Sequence, residues 1–279
     1  MRDFSFFGVN EYNLVKDDLD KRAEEIQILG YTILKDVLNA EELAEIRQKI
    51  DEIYQLQVAD FGGEASLELI NDSNNARCML AYDRVFLDSV AANPKVLEVV
   101  GRVLGNYFIL MLQNGVINQP HQANRPNAWA YHRDLNYQHF TTSRPLSISA
   151  LFCIDDFSEV TGGTYILPHT HKFERCPSED YVAEHERVVT AKAGSVIVFD
   201  SMMYHRSGKN SSGNVRRGIN NMYVLPFIKQ QINIPAMLNG KYSSDPFYRR
   251  FLGYESEPDK DVYSFRKTRI DRLNNQVKS

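Results

Sequence analysis

Four stretches in the middle of the chain limit the folds open to it. They are YFILMLQNGVIN (107–118), PLSISALFCIDD (145–156), GSVIVFDS (194–201) and GINNMYVLPF (218–227). Each is rich in β-branched and aromatic residues and is bounded by Gly, Pro, Asn or Asp, which is the pattern of short strands. None is followed by a crossover helix, and parallel pairing needs one. Strands in this arrangement favour an antiparallel sandwich or jelly roll.

The first third reads as helical. DKRAEEIQILG (20–30) ends at Gly30, and YTILKDV is a short strand candidate. NAEELAEIRQKIDEIYQLQ (39–57) starts at an Asn N-cap and carries Leu43, Ile46, Ile50, Ile53 and Tyr54 at helical spacing. NPKVLEVVGRVLG (93–105) is a second Asn-capped, Gly-ended helix, and DPFYRRFLG in the polar tail is a short one. The last dozen residues are expected to fray. No repeat or linker separates two domains. The expected organisation is one mainly β (α+β) domain over 1–279, with a helical part at 1–106, a jelly-roll core at 107–230 and a C-terminal extension at 231–279.

Charge narrows the partners. The net charge is −4 with no dominant basic block, so neither nucleic acid nor an anionic membrane is an expected partner. No apolar run approaches the roughly 18–20 residues that span a bilayer. The N-terminal MRDFSFFGVNEYNLVKDD meets charges too early for a secretory signal. Cys78, Cys153 and Cys176 lack paired spacing and read as free thiols in a reducing compartment. A cytoplasmic protein acting on a small molecule, as monomer or homodimer, is the expectation.

The chemistry begins at AYHRDLNYQHF (130–140). His-Arg-Asp-Leu opens a protein-kinase catalytic loop, which continues to an Asn five residues after the Asp. Position 139 is His, and neither a Gly-rich loop nor a strand lysine lies upstream, so the kinase reading fails. The alternative is a metal pair. Residues two apart on a strand share a face, so His132 and Asp134 can aim inward together while Arg133 points away. A non-haem Fe(II) oxygenase centre needs two His and one carboxylate with open positions opposite. His205, after the apolar run of AGSVIVFDSMMYHRSG (193–208), can end another barrel strand as the third ligand. Eleven residues on stands Arg216, whose planar fork suits a dicarboxylate co-substrate, and Ser207 faces the same way as His205. Arg217 is the rival to Arg216 and reads as a surface charge.

Taken together, His132-x-Asp134, His205 and Arg216 resemble the pattern of the phytanoyl-CoA dioxygenase family. GYTILKDVLNAEELAEIRQKID (30–51) is similar to its N-terminal strand and helix, and RPLSISALFCIDDFSEVTGGTYILPHTHK (144–172) to its R-P…D then G-G-T…P-x-x-H-K block. The resemblance covers roughly 28–230. His169-Thr170 departs from the usual Gly-Ser, which alters a turn and not a ligand. The resemblance implies a double-stranded β-helix, Fe(II) held by His132, Asp134 and His205, and 2-oxoglutarate and O2 as co-substrates. It implies that Arg216 and Ser207 meet the far carboxylate of 2-oxoglutarate and that Gln113 touches the co-substrate. Related halogenases carry a small residue where Asp134 stands, so hydroxylation is the implied reaction, with desaturation, ring closure and epimerisation using the same centre.

Around the ligands, Arg133, Trp129, Tyr137 and His139 are the candidates for substrate contact, with packing or solvent-facing roles as the competing assignment. Tyr131 is open in the same way. His121 and His185 read as structural or solvated, His169 and His171 as a turn after Pro168, and Cys153 as inert core. Arg125, Arg133 and Arg144 could grip an anionic group, whether of an acyl-CoA or of a smaller substrate. The expected substrate is a polar metabolite or natural-product intermediate, and the competing reading is a jelly-roll binding protein without turnover. The Asn/Gln/Pro-rich NQPHQANRPN (118–127) is the expected lid.

Overall fold

The computed structural model describes residues 8, 9, 11–121, 129–135 and 139–276. The first and larger of two compact units runs up to Ile232. Its main sheet has six strands, β1 (Tyr31–Leu34), β2 (Asn75–Arg77), β3 (Ile109–Asn118), β4 (Ser147–Cys153), β7 (Val196–Asp200) and β9 (Arg216–Val224), in the order β1-β7-β4-β9-β3-β2. All neighbours are antiparallel. A second, antiparallel sheet has the order β6-β5-β8, from β5 (Thr164–Ile166), β6 (Arg187–Val188) and β8 (His205–Ser207). The antiparallel jelly roll expected from the four β-rich stretches is the fold observed.

Every residue of β4 and β7 is buried, which is why these strands are largely apolar without a polar face. Leu151, Cys153, Phe157, Ile166, Ile197, Phe199 and Met203 form one core cluster. Ile109, Met111, Leu135, Met202, Met222 and Val224 form another.

Helix α2 (Ala40–Asp60) closes a capping box between Asn39 and Glu42 and buries Leu43, Ile46, Ile50, Ile53 and Tyr54, the stripe its periodicity marks. Arg217 of β9 pairs with Asp51 at 2.6 Å and Asp155 at 3.2 Å, and Arg47 pairs with Asp155 at 2.7 Å. Arg217 is therefore a tie between α2 and the sheet rather than a free surface charge. Helix α3 (Pro94–Leu104) forms as expected, but Asn93 makes no side-chain cap; its amide donates back to the Ser89 carbonyl.

In the second unit, from Asn233 onward, a helix over Pro246–Phe251 is capped by Asp245. A helix over Val262–Gln276 takes in most of the tail expected to fray, its polar sequence notwithstanding.

Helix α1 (Asp18–Leu29) stops at Gly30, which adopts φ 92° in the left-handed region. A Cβ there would lie 2.8 Å from His171 Nδ1 and 3.0 Å from Met203 Sδ. Gly30→Ala combines backbone strain with that overlap, and should destabilise the protein by about 1–3 kcal/mol in urea unfolding. A loss below roughly 0.5 kcal/mol would mean that α1 and the His171 turn are not closely packed.

Candidate metal centre

The segment 129–135 reaches the second sheet through one backbone bridge. His132 N–H donates to the His205 carbonyl at 3.0 Å, and His205 N–H returns to His132 at 3.1 Å. Asp134 N–H then donates to the Ser201 carbonyl at 2.9 Å. This is a single bridge followed by a bend, where sequence reading expected a regular strand, yet His132 and Asp134 still converge.

The ligand-capable atoms of His132, Asp134 and His205 all lie within 4.8 Å of one another. Among the described residues no other group of three His, Cys, Asp or Glu is so placed. The rings of His132 and His205 are 4.5 Å apart, and His205 Nε2 is 3.4 Å from Asp134 Oδ1. Each imidazole is aimed by its other nitrogen: His132 Nδ1 lies 3.0 Å from the Ala130 carbonyl and His205 Nδ1 2.9 Å from the Met203 carbonyl. A carbonyl only accepts, so Nδ1 carries a proton on each ring and Nε2 is the nitrogen left for a metal. Asp134 Oδ2 accepts from the Ser149 hydroxyl at 2.5 Å and the Asn220 amide at 3.1 Å, leaving Oδ1 towards the imidazoles.

Burial works against charge on all three groups. On Asp134, His205 and His132 with the Ser149 hydroxyl outweigh it, and the carboxyl sits well below the usual carboxylate range. His132 is lowered, by burial first and then by neighbouring His205. His205 is raised, because Asp134 outweighs its burial. One carboxylate held ionised with imidazole nitrogens beside it is a donor set that fits a divalent transition metal.

Arg216 on β9 is buried, with its guanidinium 4.3 Å above the Phe157 ring. Its NH2 nitrogen donates to the Gly162 carbonyl at 2.6 Å and to the Ser207 hydroxyl at 3.2 Å. Ser207 lies two residues beyond His205 on β8, so the pair expected from sequence is brought together.

Two expectations are corrected. Gln113 lies on the opposite face of β3, where its amide donates to the Phe86 carbonyl at 2.8 Å and to Asn221 at 3.1 Å, and accepts from Leu80 N–H at 2.8 Å. A register shift between Leu110 and Leu112 reverses the alternation of β3 and places Asn114, opposite Asn220, on the site face. Arg133, named as a candidate for substrate contact, is instead committed to the interior. It is buried, stacks over Tyr204 at 4.2 Å, and donates to the carbonyls of Phe140, Glu174, Thr170 and Phe173.

Trp129 is half-buried, with Lys209 Nζ 4.7 Å from its ring centroid, and His139 and Arg144 are exposed. Tyr137, Arg125 and residues 122–127 of the expected lid lie outside the described residues. Tyr131 turns away from the cluster and donates to Glu186 at 2.7 Å. His169 and His171 bond the Ile28 and Gln27 carbonyls at the end of α1, as a turn should. Sequence reading missed Ser149, Ser201, Asn114 and Asn220. Asn220 could have been found by strand parity, four residues beyond Arg216.

The turn that delivers His205 starts at Asp200, which is 3% exposed and accepts from Met202 N–H at 2.9 Å. Burial raises its carboxyl from the ordinary 3.8 to about 6, against the Met202 N–H and the positive Lys172 and Arg133. The folded state thus holds this proton more tightly than the unfolded chain, and the Asp200 contribution falls as pH rises from about 4 through about 6. Asp200→Asn keeps an acceptor for Met202 and removes that ionisation. It should gain on the order of 1–3 kcal/mol over the wild type at pH 8 and little at pH 4 in urea unfolding. An equal change at both pH values would refute the assignment.

Residues 27–218 match the family model described as Phytanoyl-CoA dioxygenase (PhyH). An uncharacterized protein of Mycobacterium tuberculosis is 32% identical over 218 residues, covering 77% of this chain and 78% of its own. An iron/alpha-ketoglutarate-dependent dioxygenase of Aspergillus calidoustus, ausU, is 22% identical over 70% of this chain and 66% of its own. The epimerase SnoN, solved with Fe3+, alpha-ketoglutarate and nogalamycin RO, shares the fold at a TM-score of 0.59 and 14% identity, over 79% of this chain and 89% of its own. HygX from Streptomyces hygroscopicus, solved with nickel, 2-oxoglutarate and hygromycin B, gives 0.57 and 13% over 80% and 92%.

Proposed function

From the premise that this chain belongs to the phytanoyl-CoA dioxygenase family and is an iron- and 2-oxoglutarate-dependent oxygenase, we propose that His132, Asp134 and His205 hold the Fe(II). Arg216 with Ser207 grips the far carboxylate of 2-oxoglutarate, and the reaction hydroxylates an unactivated C–H bond of a polar metabolite or natural-product intermediate. The observation that carries the reading is the pair of imidazoles whose Nδ1 protons are spent on carbonyls while one ligand-capable atom of each lies with Asp134 in one cluster. The natural-product class is supported by the compounds named with SnoN and HygX. Arg133, committed to four carbonyls, lends no support to a basic rim for an acyl-CoA.

Iron and 2-oxoglutarate bound there supply an oxidising centre: 2-oxoglutarate becomes succinate and CO2, one atom of O2 entering succinate and the other the substrate. The protein's own residues position and seal. The carbonyls of Ala130 and Met203 keep the imidazoles in the ligating tautomer. Gly162 and Ser207 set the direction of the Arg216 fork over Phe157. Met202, Met222 and Leu135 make part of an apolar wall that excludes water from the chemistry.

Purified protein should release succinate from 2-oxoglutarate only with Fe(II), and His132→Ala or Asp134→Ala should abolish it. Protein that binds Fe(II) and 2-oxoglutarate without turnover would instead favour a binding role. Succinate release above that uncoupled rate, screened across polyhydroxylated and amine-bearing natural products, identifies the substrate.

Arg216→Lys keeps the charge but loses the fork. It should raise the KM for 2-oxoglutarate by about 10-fold or more while leaving Fe(II) affinity within about 2-fold. An unchanged KM would remove Arg216 from the co-substrate.

A further inference from the structure

Asp134 differs from the two histidines in how it is held. Each imidazole is aimed by a backbone carbonyl within its own segment. Asp134 is aimed by the main sheet, through Ser149 on β4 and Asn220 on β9. These strands are neighbours, with Leu151 opposite Asn220 and Ser149 opposite Met222. Both donors meet the same oxygen, Oδ2, while Oδ1 is the atom 3.4 Å from His205 Nε2.

The direction of each bond follows from chemistry. A carboxylate only accepts, so the Ser149 hydroxyl gives it its proton. Ser149 Oγ must then accept from the Ser201 hydroxyl, 2.9 Å away and fully buried. Asn220 must turn Nδ2 to the carboxylate, which fixes its carbonyl by exclusion. That carbonyl oxygen is buried and has no hydrogen-bond partner among the described residues. An amide whose side-chain bond goes to Asp134, with a buried acceptor unmet, is oriented for Asp134 and not for its own satisfaction.

We infer that Ser201, Ser149 and Asn220 form a clamp that makes Asp134 a one-oxygen metal ligand by withholding Oδ2. The inference rests on the metal-centre reading above. On an ion with six positions, three protein ligands would leave three, which 2-oxoglutarate and O2 would together require. A carboxylate free to rotate could close on the metal with both oxygens and take one. The clamp keeps that position open and holds the charged oxygen where the imidazoles converge. Ser149, Ser201 and Asn220 are positioning residues, and they act through Asp134.

The test is Co(II) binding to the full chain, followed by visible absorption in the absence of 2-oxoglutarate. Asn220→Ala and Ser149→Ala should each shift the Co(II) dissociation constant by about 10-fold or more and change the d–d band pattern, because Oδ2 is freed to join the metal. Ser149→Thr retains the hydroxyl and should recover most of the affinity and the wild-type bands. Thermal unfolding of the metal-free variants is the control for folding. If Ser149→Ala does not fold, half-buried Asn220→Ala decides. Wild-type binding with both alanine variants within about 2-fold, or Ser149→Thr no better than Ser149→Ala, overturns the clamp alone. A wild type that takes up no Co(II) overturns the metal centre and the clamp with it.

Discussion

The structure of the site depends on two backbone hydrogen bonds, those that join His132 to His205 in both directions. They are ordinary antiparallel bonds, each of modest net strength. Their effect is geometric. They bring a segment that belongs to no extended strand beside β8 and put two imidazoles from residues 73 positions apart, 132 and 205, within 4.5 Å of each other. The Asp134 N–H bond to Ser201 adds the next contact along the same segment. A side chain can be moved by a rotamer change, whereas a ligand fixed by its own backbone pairing moves only if the pairing breaks.

Once the rings are there, electrostatics makes the cluster a place for a cation. A buried imidazole, a half-buried one and a half-buried carboxylate do not coexist comfortably unless protons and charges are arranged. His132 is pushed towards its neutral form, Asp134 is held ionised, and the His205–Asp134 contact spans the gap. Arg133, between the two ligands in sequence, contributes in a different way. Its guanidinium gathers four carbonyls and stacks on Tyr204, so the loop after Pro168 and the turn before His205 are stapled behind the ligands. Breaking that staple would leave a buried cation uncompensated, which is why the residue next to the ligands is so completely enclosed.

Much of this was legible in the chain because it follows from two local patterns. β-Branched and aromatic runs bounded by turn residues mark β3, β4, β7 and β9, and 3.6-residue spacing marks the buried stripe of α2. His132, Asp134, His205 and Arg216 stood out as residue types whose joint spacing few other chemistries use. What was not legible depended on register. The shift at Leu110/Leu112 reverses which face of β3 is inward, so Gln113 is spent on the outer layer and Asn114 faces in. Arg133 could not be placed because three of its four acceptors lie some 40 residues away, in a turn that only the folded chain brings near. Ser149 and Asn220 carry no motif. Strand parity counted from Arg216 reaches Asn220, but nothing in sequence says that Asp134 will be opposite it.

The two sheets divide the work of the site. The smaller sheet and the segment bridged to it supply His132, His205 and Ser207; the main sheet supplies Arg216, and Ser149 and Asn220 behind Asp134. Two contacts among these cross from one set to the other: Ser207 with Arg216, and Asp134 with its two donors. A jelly roll whose sheets shifted against each other would lose both, and with them the alignment of the anchoring arginine against the three clustered side chains. The apolar clusters that hold the sheets in register, around Phe157 and Met203 on one side and Met222 and Met202 on the other, therefore set the spacing of the chemistry as well as the stability of the fold.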